Sequence, residues 1–147
     1  MPSHCDNVAL IRAIQASWSD PDPETFVAVF APDGEFEDVT YGIRLRGHDA
    51  LRAHARRMKK HNVNLRIDIT TCDATDRTGV AEWRLSHVYV GNFDGVDCSG
   101  KRIELRGLSI YEFTEGRIAR ATDYWNYMEM IRAVGVLPRE LRAFRTA

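Results

Sequence analysis

Val8, Ile11, Ile14, Gln15 and Trp18 recur at the spacing of one helix face, which predicts a helix from about Asn7 to Trp18. Asp20-Pro21-Asp22-Pro23 breaks it, and Asp22 can cap a second helix with Pro23 at its first position. Phe26, Val29 and Phe30 form that helix's apolar face, and Pro32-Asp33-Gly34 reads as a turn. Phe36 to Tyr41 follows as a short strand. Gly47 then precedes a third helix, roughly His48 to Lys60, with Leu51, Ala55 and Met58 inward and His54 one position off that stripe, either at the helix edge or lining a cavity. Beyond residue 62 the period changes from 3.6 to 2. Leu65, Ile67 and Ile69 alternate through one strand, Val80 to Val90 forms a long second one, and Gly91 to Gly100 is a loop. Ile103 to Phe113 and Ile118 to Trp125 are two further strands, joined by a tight turn at Glu115-Gly116. Tyr127 to Val134 is a short helix stopped by Gly135, and Pro138 opens a last one. Helices first, then strands joined by short turns, predict an α+β fold with an antiparallel sheet. A strongly curved sheet covered by those helices encloses a cavity.

Composition adds limits to that outline. At 147 residues, 44% apolar and 28% charged, the chain suits one globular domain, with a core at roughly 8–135 and a helical tail at 136–147. A net charge of −1 argues against nucleic acid and anionic membrane as partners. Arg56-Arg57-Met58-Lys59-Lys60 is basic, but its cations complement the dipole at a helix C-terminus. Met1-Pro2-Ser3-His4-Cys5-Asp6 lacks the regions of a signal peptide, and no apolar run reaches the length of a membrane span. Cys5, Cys72 and Cys98 form no zinc or redox motif, so reduced thiols in a cytoplasm are the simplest reading. Nothing in the sequence asks for a metal or a cofactor. Asp94-Gly95-Val96-Asp97 lacks the ligand spacing of a calcium loop and reads as a mobile hairpin loop at a cavity mouth.

The candidate chemistry is carried by two acids. Asp123 shares a strand face with Ala119, Ala121 and Trp125, small or aromatic company that suggests an interior face with space left open. A desolvated carboxylate there has a raised pKa and a usable proton; the ordinary alternative is an acid paired with one of the many arginines. Asp38 lies on the face of Phe36 and Thr40 and is either a second such acid or a cap for backbone amides near Gly42. Glu37 points the other way, to solvent. Trp83, Leu85, His87 and Tyr89 share one face of the long strand. Trp83 is either core or the floor of a cavity for a flat substrate. His87 is either a hydrogen-bond donor and proton shuttle or a partly exposed strand-end histidine. Trp18, Phe36 and Trp125 are candidate pocket walls, and Ser109 a candidate hydrogen-bond partner for a substrate carbonyl. On the opposite sheet face, Glu82, Arg84, Glu104 and Arg106 suggest opposite charges aligned across strands or subunits.

Several segments together resemble the nuclear transport factor 2-like superfamily. They are Phe30-Ala31-Pro32-Asp33-Gly34-Glu35-Phe36-Glu37-Asp38, Leu45-Arg46-Gly47-His48-Asp49-Ala50-Leu51, Ala81-Glu82-Trp83-Arg84 with His87, Ser99-Gly100-Lys101 with Leu105-Arg106-Gly107, and Phe113 to Ile118 with Asp123-Tyr124-Trp125. The SnoaL-like polyketide cyclase branch, near ketosteroid isomerase, is the most similar. The resemblance implies a cone-shaped (cystatin-like) α+β fold and a homodimer. It places Asp38 at the position of the isomerases' general base and Asp123 at that of the cyclases' late-strand acid. The isomerases' oxyanion positions fall on Ile14 and Ser109, so their usual oxyanion hole is missing. Of the Asp-Arg-Asp set of limonene epoxide hydrolase-like members, only Asp123 is kept, and Trp83 and Leu85 take the other places. The implied activity is a cofactor-independent cyclase or isomerase using Asp38 and Asp123, assisted by His87, on an apolar, carbonyl-bearing small molecule. A dehydratase on the same acids, and a non-catalytic binder or dimeric interaction module, are the alternatives.

Overall fold

The computed structural model describes residues 3–93 and 95–136; the predicted helix at Pro138 and Asp94 of the predicted loop lie outside them. The chain runs α1 (His4–Ser17), α2 (Glu24–Val27), β1 (Phe30–Asp38), β2 (Ile43–Arg46), α3 (His48–His61), β3 (Asn62–Ala74), β4 (Thr78–Tyr89), β5 (Asn92–Phe93), β6 (Val96–Asp97), β7 (Arg102–Thr114), β8 (Arg117–Trp125) and α4 (Tyr127–Val134). Six strands form one sheet in the order β2-β1-β8-β7-β4-β3. Every neighbouring pair is antiparallel except β1 and β8, which are parallel. This is the expected α+β architecture, with helices packed on a curved, mainly antiparallel sheet.

Several local expectations change. The first helix starts at His4, three residues early, because Ser3 and Asp6 form a reciprocal capping box. These polar caps lie outside the apolar stripe that locates the helix. The second helix is only one turn, and Phe30 opens a strand instead of closing a helix face. Pro32-Asp33-Gly34 is not a turn between elements. It lies in an irregularity within β1, where the register to β8 shifts between Phe30 and Glu35. Further shifts at Val63/Arg66 and Ile69/Thr71 bend β3 and β4. Such extra residues increase local twist and curl a sheet. The first strand ends at Asp38, short of Tyr41. The Gly91–Gly100 loop holds the small β5–β6 hairpin.

Two apolar clusters flank the hollow of the curved sheet. One joins Ile11, Ile14, Phe26, Phe30, Phe36, Leu51, Tyr111 and Ile118 under α1 to α3. The other joins Trp83, Cys98, Ile103, Leu105, Met130 and Val134 under α4. Each fully buried Phe or Ile contributes roughly 1.5–3 kcal/mol relative to exposure. α4 is capped by Asn126, whose side chain accepts the Met128 N–H, and it ends at Gly135 as expected. No helix among the described residues is long and apolar enough to cross a membrane.

The β7–β8 hairpin turns through Glu115 at φ 47° and Gly116 at φ 73°. Both central residues are left-handed, the geometry that favours Asn-Gly. Glu115→Asn is expected to stabilise the protein by about 0.5–1 kcal/mol in denaturant melts. No gain would mean that the turn is relaxed around glutamate.

Candidate active site

Strand register brings the two acids together. Asp38 on β1 is the parallel partner of Asp123 on β8, so their side chains leave the same sheet face from adjacent strands. Both border a cavity of about 530 Å³ between the two apolar clusters. Trp18, Phe36, Trp83, His87 and Trp125 border it too. Its remaining wall is largely aliphatic and aromatic, including Ile43, Leu65, Ile67, Leu85, Phe93, Leu105 and Met130.

Asp38 is buried and held by N–H donors. Its Oδ1 accepts the Tyr41 amide at 3.0 Å, and Trp125 Nε1 lies 3.2 and 3.1 Å from its two oxygens. The acid therefore caps the turn after β1 and also faces the cavity. Burial pushes its pKa up, and these donors pull the other way. Asp123 is enclosed by the protein, and its residual exposure is to the cavity. Its Oδ1 accepts Ser109 Oγ at 2.6 Å. Burial pushes its pKa up to about 7; the Ser109 bond opposes that rise and the Asp38 charge adds to it. N–H donors favour an ionised Asp38, whereas Asp123 has one hydroxyl donor. When the pair shares a proton, it therefore resides on Asp123.

Ser109 does not line the cavity. It is 0% exposed. Its hydroxyl donates to Asp123 and accepts from Trp83 Nε1 at 2.8 Å and Gln15 Nε2 at 3.3 Å. The expected contact with a substrate carbonyl is thus contradicted, because Asp123 lies between Ser109 and the space. Trp83 is core and cavity wall at once. His87 is buried, not partly exposed, and burial pushes its pKa down. Its Nδ1 has no partner among the described residues.

Further expectations change in detail. Glu37 is not simply solvated: Arg44 Nε lies 3.0 Å from Oε1 and Arg120 Nη2 2.6 Å from Oε2. On the outer face, Arg84 aligns with an opposite charge on β3, where Asp68 is its register partner, but not on β7. Arg84 stands directly across from Arg106, Glu82 from Leu108 and Glu104 from Ser86. Of the two readings of His54, the structure takes the cavity wall over the helix edge: it is 4% exposed and borders the cavity. The signal was present, since Leu51, His54, Ala55 and Met58 follow the i, i+3, i+4, i+7 stripe. Gln15, Arg57, His61 and Asn62 line the cavity and were not anticipated there. Gln15 does so, whereas Ile14 packs in the core. A stripe shows which face of α1 is buried, but not that its Gln15 edge meets a hollow. No group of three or more His, Cys, Asp or Glu among the described residues is arranged to hold a metal.

These pKa shifts predict a stability profile. Asp123 binds its proton more tightly folded than unfolded, so its contribution falls as pH rises from about 4 to about 7. His54 has the opposite sign: burial, with the Arg57 charge, lowers its pKa to about 4, and its contribution is lost as pH falls from about 6.5. Asp123→Asn removes the first term alone. The variant is expected to match the wild type near pH 4 and exceed it by a few kcal/mol at pH 8, read from denaturant melts. An unchanged difference across that range would mean that Asp123 titrates normally.

A curved α+β sheet around a mostly apolar cavity with carboxylates on its wall is a small-molecule scaffold of the cyclase and isomerase type. The chain belongs to the SnoaL-like polyketide cyclase family, whose model matches residues 8–134. Similar solved structures share the fold. A candidate polyketide cyclase from Xanthomonas campestris pv. campestris is 24% identical, with a TM-score of 0.77 over 89% of this chain and 98% of its own. A candidate SnoaL-like polyketide cyclase from Jannaschia sp. CCS1 is 14% identical, with a TM-score of 0.80 over 94% of this chain and 97% of its own. An epoxide hydrolase of the LEH-like type from M. tuberculosis is 19% identical, with a TM-score of 0.72 over 90% and 92%. Comparison with curated proteins finds no match.

Proposed function

We propose that the protein is a cofactor-independent cyclase or isomerase acting on a mostly apolar, carbonyl-bearing small molecule of polyketide or steroid type. The observation that carries this reading is the register pair Asp38–Asp123 on the wall of an apolar cavity, with the Asp123 pKa raised to about 7. One carboxylate takes the proton from carbon beside a carbonyl, breaking the C–H bond and leaving an enolate. For isomerisation, the proton returns at another carbon. For cyclisation, the enolate carbon bonds a second carbonyl carbon of the same molecule, and the resulting alkoxide takes its proton from the other carboxyl. Neither course needs an external reagent. Each positioned acid or base contributes typically 10²–10⁴-fold. Trp18, Phe36, Trp83 and Trp125 supply apolar and aromatic walls for a flat substrate.

The test is deuterium incorporation from solvent beside the carbonyl, across a panel of polycyclic ketones. Full activity in the Asp38→Asn/Asp123→Asn double variant would end this mechanism. Buried, neutral His87 keeps a dehydratase in view; its product is lighter by one water. A binder would instead retain ligand tightly without turnover and tolerate both substitutions.

A second copy of the chain is the partner we propose for the outer sheet face. Leu108 and Tyr124 are cross-strand neighbours there, and both are exposed, as is Ile110. Arg84 and Arg106 stand opposed on β4 and β7, with Asp68 in register with Arg84 on its other side, and a partner's acids would relieve the repulsion that remains. Sedimentation is expected to show a dimer that Leu108→Glu dissociates. A wild-type monomer would refute this.

A further inference from the structure

The helix wall of the cavity carries two groups that the acid/base reading leaves unused. His54 on α3 faces the Phe36 ring at 5.2 Å between centroids and the Trp18 ring at 6.2 Å. One turn further along the helix, Arg57 places Nη2 3.1 Å from His54 Nδ1. A guanidinium offers only N–H donors and keeps its proton, so Nδ1 must be the bare acceptor. The single proton of the neutral ring is then on Nε2. Protonating Nδ1 as well would set a second cation against Arg57 in an apolar wall. Among the described residues no acceptor pairs with Nε2, and it is not one of the sealed, unpartnered atoms. It is therefore a donor open to the cavity.

Position makes this donor useful. Phe36, under the His54 ring, shares its strand face with Asp38, which lies two residues, roughly 7 Å, further along β1. The sheet wall thus presents acceptor carboxylates, and the helix wall a neutral donor beside the Arg57 guanidinium, with room for a ring system between. We propose that His54 Nε2–H donates to the carbonyl oxygen of a planar, enolisable ketone, and that Arg57 is a positioning residue that sets the His54 tautomer. This rests on the acid/base reading above for the fate of the substrate, but not for its recognition. A neutral N–H suits a neutral carbonyl. A ligand with an anion at the sheet wall would meet Asp38 instead.

The experiment is NMR of the imidazole nitrogens, with fluorenone and its hydrocarbon counterpart fluorene as probes of one shape. Neither has an exchangeable proton beside a carbonyl, so binding is read apart from turnover. His54 is expected as the Nε2–H tautomer, with a resonance that moves on adding fluorenone and stays nearly still with fluorene. His54→Phe is expected to weaken fluorenone binding about tenfold with little effect on fluorene, the scale of one hydrogen bond. His54→Gln, which restores an N–H, is expected to recover part of that loss. Arg57→Leu is expected to release the ring into mixed tautomers without unfolding the protein. An Nδ1–H wild type, equal responses to the two probes, or equal weakening of both by His54→Phe would overturn the proposal. An unchanged tautomer in Arg57→Leu would overturn the role of Arg57. Lost ketone discrimination with deuterium exchange intact counts against the donor alone, and the reverse counts against the acid/base pair alone.

Discussion

Asp123→Asn is expected to lower deuterium exchange beside a substrate carbonyl by about 10²–10⁴-fold while the fold persists. The amide is isosteric and its oxygen can still accept the Ser109 hydroxyl at the 2.6 Å position, so the buried network survives. What is lost is the exchangeable proton of a group whose pKa lies at about 7, near the pH at which it must both give and take. Asp38→Asn is expected to cost a similar factor for a different reason. Its two oxygens are held by the Trp125 indole and the Tyr41 amide, so the carboxylate is aimed before substrate arrives. An amide in its place sets its own N–H against one of those donors. Removing Asp38 also removes a charge that raises the Asp123 pKa, so Asp123 in that variant is expected to titrate lower. Carboxyl NMR checks the shift. Independent titrations in the two variants would mean that the acids share a wall without sharing a proton.

Gly107→Ala is expected to destabilise the protein by about 1–3 kcal/mol and to disturb the site from behind. Gly107 stands directly across from Trp83 on the neighbouring strand. A β-carbon there would overlap Trp83 Cζ2, Cη2 and Cε2, so the indole lies flat on the bare backbone. The smallest relief is a shift of the indole, and that draws Nε1 away from Ser109, which it holds at 2.8 Å. Ser109 is the only side chain bonded to Asp123 among the described residues. With Ser109 less constrained, the bond that lowers the Asp123 pKa weakens, and the pKa is expected to rise further. Thermal melts measure the first effect and carboxyl NMR the second. A variant that melts like the wild type would mean that the Trp83 ring has room to move.

The two expectations differ in how far they could be anticipated. Asp123 stood out from a period-two pattern, because a carboxylate among Ala119, Ala121 and Trp125 is out of place on an apolar face. Gly107 did not, since close approach of an indole to a backbone depends on which residue lies opposite. His54 was read as one position off the inward stripe, at a helix edge or lining a cavity, although its spacing from Leu51 matches the buried face. Ser109 was assigned to the right neighbourhood and the wrong layer. Alternation shows which face a hydroxyl takes, and not that a longer side chain covers it.

Local periodicity, capping and turn chemistry determined the order and type of most elements, and with them an antiparallel α+β fold. These are nearest-neighbour properties, encoded within ten or so residues of one another. Registers between distant strands decided the rest. The parallel pairing of β1 with β8 joins residues 38 and 123, and the bulges in β1 and β3 help curl the sheet around a hollow. Which side chains end in that hollow, and which are sealed behind it, follows from contacts between segments far apart in the chain. Such contacts leave no period in the sequence, because their energy belongs to pairs and not to positions.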